Sequence, residues 1–222
     1  MPDLVKIATA SAEYQARFDR PYIGLLGNDR PRVFEAVVAA LLPFQFRLAN
    51  TEFVTAGTLA DQKVVFRLPE KGISFQFGAE ECRLAKQDAW WSTSDEYGEV
   101  LNAAERALLE SSGAKVASCM VTLAIHLQPL TKTREEILAP FVPQPFKKFM
   151  NDRKAQTFGN HLKWSDGGDV LLDFSIAFAN GIFLRLSTPF QGRPSLPVIL
   201  AKVRRDEEQL FEILGIEEDS DA

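Results

Sequence analysis

Residues 63–77 read KVVFRLPEKGISFQF, and their alternation leaves little choice of structure. Val64, Phe66 and Leu68 take every second place, then PEKG intervenes, then Ile73, Phe75 and Phe77 alternate again. Successive side chains of a strand point to opposite faces, so each run has one apolar face. Pro69 and Gly72 in the connector predict a turn, and the two runs predict an antiparallel hairpin. Its apolar face needs a cover. Upstream, Asp29 and Pro31 open a segment in which Val33, Phe34, Val37, Val38, Leu41 and Leu42 share a helical face, with Pro43 closing it. Between this helix and the hairpin, FRLANTEFVTAG reads as extended. Downstream, Thr93 and Glu96 have capping-box spacing. Tyr97, Val100, Leu101, Ala104 and Leu108 form a second stripe, and Gly113 is placed to end it.

The second half of the chain repeats this order. Thr133 to Met150 predicts a helix broken by Pro140, Pro143 and Pro145; QTFGNHLKW, DVLLDFSIAF and GIFLRLST predict three strands joined at SDGGD and ANG. A last helix from Ser195 carries Ile199, Val203, Leu210, Phe211 and Leu214. AEYQARFD precedes the first helix as CMVTLAIHL precedes its counterpart, and each element follows its equivalent at a period of roughly 100 residues. The expectation is an α+β protein made of two similar strand–helix–three-strand–helix units, residues 1–115 and 116–222, with antiparallel sheets flanked by helices. The competing reading is one mixed sheet whose element order repeats by chance.

With 222 residues, 46% of them hydrophobic, the chain has enough apolar mass for a core. A net charge of −5, with Glu217, Glu218, Asp219 and Asp221 grouped together, repels phosphate backbones and argues against nucleic acid as a partner. The start, MPDLVKIATASAEYQ, lacks a basic segment followed by an apolar one, and the longest apolar stretch, VFEAVVAALLPF, is too short to span a bilayer and contains Glu35. A cytoplasmic protein with no membrane association is expected. Cys82 and Cys119, the two cysteines, are too few for a disulfide framework and read as free thiols.

Little in the sequence looks like chemistry. Cys119 stands seven residues before His126, but residues an odd number apart in a strand face opposite ways, and seven steps of ~3.3 Å separate them by roughly 23 Å. They are no nucleophile–base pair within that strand. Cys119 reads as a small core residue beside Val121, Leu123 and Ile125. The histidines, His126 and His161, supply no ligand cluster, so no metal or other cofactor is expected. SDGGD lacks the alternating oxygen ligands of a calcium loop, and the phosphate-loop, dinucleotide, zinc-protease and serine-hydrolase motifs are missing. Two surface candidates remain. Trp90 and Trp91, flanked by Lys86, Asp88, Ser92 and Thr93, have the make-up of an apolar anchor with a polar rim and predict a protein or homodimer contact. Lys147 and Lys148, with Arg153, Lys154 and the interleaved Phe146 and Phe149, form a basic patch able to meet an acidic partner.

The stretches GISFQFGAEECRLAKQDAWW and DEYGEVLNAAERALLESSGAKVASCMVTLAIHLQPL resemble the middle of a sporadically distributed family of uncharacterised bacterial proteins. The resemblance rests on the alternating strand with Phe75 and Phe77, on Trp90 or Trp91, on Tyr97 opening a helix, and on the strand from Val121 to Leu127; AIHL replaces the family's usual Tyr-Ile-Asn ending. It covers about a third of the chain and implies no catalytic residue. A non-enzymatic protein-interaction or assembly module is therefore the first expectation. The alternative is a small-molecule-binding protein or enzyme with a pocket between the halves, for which Arg185, Asp173 and His126, or the carboxylates Glu80 and Glu81, are candidates.

Overall fold

A long first strand, β1 (Asp3–Phe18), opens the chain and alternates buried and open positions along much of its length. The computed structural model describes residues 2–55, 57–87, 95–142 and 159–219. The remaining elements are α1 (Arg30–Leu41), β2 (Thr51–Val54), β3 (Lys63–Leu68), β4 (Ile73–Phe77), β5 (Glu81–Gln87), α2 (Asp95–Ser112), β6 (Val116–Pro129), α3 (Arg134–Leu138), β7 (Gly159–Lys163), β8 (Asp169–Phe174), β9 (Ile182–Gln191), α4 (Leu196–Leu214) and β10 (Ile216–Glu218). The protein is α+β and its strand pairing is mostly antiparallel; β10 runs parallel to β1.

The chain divides into two compact units, one of Ser11–Val121 with Pro189–Ile199 and one of Met1–Ala10 with Thr122–Thr188 and Leu200–Ala222. In the first, strands run in the order β2-β3-β4-β5-β1. The hairpin expected around PEKG is present: Phe66 pairs with Phe75, and Gly72 turns the chain with φ +61°. Phe66 is the hub of an aromatic core, with Phe34, Phe46 and Phe77 ring centroids 5.6, 5.7 and 6.0 Å away. α1 packs against α2, which lies over β4 and β5. The α1 stripe buries Val33, Val37 and Leu41, whereas Leu42 is 57% exposed because the helix gives way to a 3-10 turn at that residue. In the α2 stripe, Tyr97, Val100, Leu101, Ala104 and Leu108 are all buried, and Gly113 ends the helix with φ +70°.

Two local expectations change. Four strands, not three, separate α1 from α2 in the first half. β5 carries just Cys82 and Leu84 as buried apolar residues, alternating with Glu81 and Arg83, a pattern too brief to stand out. And FRLANTEFVTAG is extended mainly over β2, since residues 48–50 coil into a 3-10 turn before it.

In the second unit β7, β8 and β9 pair antiparallel in turn, with Gly159 opposite Asp173 and Asp173 opposite Phe183. β10 closes onto the start of β1, Asp3 opposite Ile216. β6 alternates as expected, burying Cys119, Val121, Leu123, Ile125 and Leu127 and leaving Met120, Thr122, Ala124 and His126 half open.

Candidate functional site

A carboxylate sits where the helical pattern calls for a hydrocarbon. Glu105 follows Leu101 by four residues and precedes Leu108 by three, on the apolar stripe of α2, and is 1% exposed. Burying an ion is unfavourable unless its oxygens are satisfied. Both are. Tyr14 of β1, itself 1% exposed, donates from its hydroxyl to Glu105 Oε1 at 2.7 Å, and Arg193 donates from Nε to Oε2 at 2.6 Å. Arg193 also donates from Nη2 to Asn102 Oδ1 at 3.3 Å. Burial, reinforced by the charge of Glu105, pushes the Tyr14 hydroxyl far above its usual range, so it remains a donor. For Arg193, burial opposes the charge, but Glu105 outweighs it and holds the guanidinium above its ordinary value.

The turn that delivers Arg193 is set locally. Gly192 adopts φ +64°, a conformation that L side chains avoid, and its N–H donates to the Ala117 carbonyl at 2.8 Å. Pro194 then fixes its own φ, and α4 begins at Leu196. On the facing helix Gly98 leaves room for Leu196: a Cβ there would lie 2.5 Å from Leu196 Cδ2. Between α2 and this turn lies a groove of about 490 Å³ lined by Asn102, Arg106, Leu109, Glu110, Arg193, Ser195, Leu196 and Pro197. Arg106 and Glu110 are exposed, and Arg106 takes part in no ion pair among the described residues. The groove thus presents two guanidinium groups, one held by Glu105 and one exposed, beside the apolar side chains of Leu109 and Leu196. A smaller cavity of about 170 Å³ lies beside Gln45, which has φ +66°, and the exposed pair Arg47–Glu70.

The residues singled out from sequence do not gather here. Trp90, Trp91, Lys147 and Lys148 lie outside the described residues. Cys119 is a buried core residue beside Tyr14, its thiol pushed up to about 11 by burial, and burial raises Cys82 as well. His126 is engaged elsewhere: the Ser175 hydroxyl lies 2.8 Å from Nδ1, and the Phe183 ring, tilted by 44°, has its centroid 4.9 Å from that of the imidazole. Ser175 Oγ also accepts N–H bonds from Ala177 and Phe178, so the serine caps the turn beside His126. Arg185 meets Asp169 at 3.4 Å, while Asp173 accepts from the Phe174 N–H. No hydrogen bond or ion pair among the described residues links Arg185, Asp173 and His126 to one another. His161 is exposed, 3.6 Å from Asp169. Glu81 pairs with Arg83 at 2.5 Å and accepts from Gln15. Among the described residues no three His, Cys, Asp or Glu side chains come together as a metal site, and no helix is long and apolar enough to cross a membrane.

Sequence reasoning missed Tyr14, Glu105 and Arg193. The one available signal was a glutamate on the stripe of α2; nothing local links it to a tyrosine 91 residues before it or an arginine 88 residues after it. Compared with known proteins, the chain matches no family model and no curated protein.

Proposed function

We propose that this chain is a non-enzymatic protein-interaction module whose docking surface is the groove between α2 and the turn at Gly192–Pro197. The observation that carries the reading is the Arg193 guanidinium, held at the groove rim by a buried carboxylate. An ion pair in such a place is seldom worth more to stability than well-packed hydrocarbon of the same volume, which leaves positioning as its use. The groove lining offers guanidinium, amide, hydroxyl and carboxylate groups to a partner. Photo-crosslinking tests this: a benzophenone amino acid at Leu109 is expected to trap one identified protein, with the adduct lost in Arg106→Ala and not formed from the same probe at Glu52. Equal labelling from both positions would refute it.

The same reading includes three narrower proposals. The chain is an internal duplication, supported by the strand orders β2-β3-β4-β5-β1 in the first half and β7-β8-β9-β6 in the second, each running through its later strands to its long first strand. Superposing residues 12–113 on 118–215 is the check. It works in the cytoplasm, in keeping with two buried free thiols. It belongs with the bacterial family that residues 72–130 resemble, and Trp90 and Trp91 form a contact between two copies.

A further inference from the structure

We infer that the group the groove recognises is a side-chain carboxylate, carried by an extended segment of the partner protein. This rests on the reading of the groove as a docking surface. Asn102, Arg106 and Glu110 recur every fourth residue and so form one line along α2, about 12 Å long at ~1.5 Å per residue. An extended chain covers that length with about four residues at ~3.3 Å each, so a short strand-like segment fits the line better than a compact ligand does. Leu109 and Leu196 give its neighbouring side chains an apolar seat.

The polar chemistry selects the anion. Arg193 commits Nε to Glu105 and Nη2 to Asn102, leaving Nη1 directed to no protein acceptor among the described residues. Arg106 is exposed and unpaired among those residues. A guanidinium fork matches the two oxygens of a carboxylate in plane, and a guanidinium already locked by a buried partner loses little freedom on binding. The four local charges, Arg106, Arg193, Glu105 and Glu110, cancel. A carboxylate brings the site to about −1, whereas a phosphate dianion would bring it to about −2 beside Glu110. Charges beyond a Debye length of ~8 Å are screened, so this local balance decides and the overall charge of the protein does not.

The test is an NMR titration of the full chain, following the Arg Nε–H signals and the α2 amides. The probes are acetyl-Leu-Glu-Leu-amide, the same peptide with Gln or phosphoserine at its centre, and acetate. The Glu peptide is expected to shift the Arg106 and Arg193 signals and to bind about tenfold more tightly than the Gln peptide, the factor for one charge-assisted hydrogen bond. Arg106→Gln, whose side chain lies on the surface, is expected to remove that preference and leave the spectrum otherwise intact. Equal binding of the Glu and Gln peptides, or no binding by either, overturns the carboxylate; persistence of the Leu109 adduct then leaves the docking surface standing. Tighter binding of the phosphoserine peptide overturns the choice of anion. Acetate matching the Glu peptide overturns the extended segment.

Discussion

At the scale of single residues, three carboxylates are buried, and Glu105 is satisfied at both oxygens whereas Asp3 and Glu207 each keep one oxygen without a partner among the described residues. Glu105 has a partner on each oxygen, so Glu105→Ala strands both the Tyr14 hydroxyl and the Arg193 guanidinium. A loss of about 3 kcal/mol in urea denaturation is expected, at the low end for breaking a buried pair because Arg193 is 33% exposed. The double variant Glu105→Leu with Arg193→Met is expected to recover most of it, since no charge is then left alone. Glu207 on α4 is the opposite case: it is 8% exposed and its Oε1 has no partner among the described residues. Burial first, then Glu218 of β10 and Glu208, push its carboxyl up to about 7, against the pull of Arg204. The native state then holds this proton where the unfolded chain releases it near pH 4.5, so stability from this residue is full below that pH and is lost as pH rises to 7. Unfolding free energies of the wild type from urea denaturation are expected to fall across that window by on the order of 3 kcal/mol, and those of Glu207→Gln to fall much less. Cys119→Ser places a hydroxyl against hydrocarbon and is expected to lower stability by about 1–3 kcal/mol. In the native protein neither thiol is expected to react quickly with a thiol reagent, being buried and protonated.

At the scale of elements, legibility depended on how many periods a pattern ran. α2 displays five stripe residues over three turns, and all five are buried; β3 and β4 display three alternations each and pair as expected. β5 shows two, too few to separate it from a loop. The turn before α4 is a backbone device, and it supplies a clean test. Gly192 has φ +64° and open space within 4 Å of where a Cβ would stand, so Gly192→Ala meets no clash and suffers from the backbone alone. A cost of about 1–2 kcal/mol is expected in denaturant unfolding, together with a shift of the Arg193 Nε–H resonance as its pairing with Glu105 loosens. An unmoved resonance would show that the turn does not set the guanidinium.

At the scale of the whole molecule, the proposed contact between copies is tested by mass. Light scattering is expected to give a dimer for the wild type and a monomer for Trp90→Ala with Trp91→Ala; a monomeric wild type removes the homodimer. Local patterning in this chain determined the helices, most strands, their turns and the burial of Cys119, because the periodicities of 2 and 3.6 residues are written into neighbouring positions. The acidic charge and the two lone cysteines likewise follow from the sequence itself. Strand order, by contrast, depends on which apolar faces find each other across the chain, and a carboxylate on a helical stripe has no meaning until its partners are known. Tyr14 and Arg193 reach Glu105 from opposite ends of the sequence. Only tertiary structure brings them together, since hydrogen-bond and charge pairing act over a few ångströms in space and leave no period along the chain.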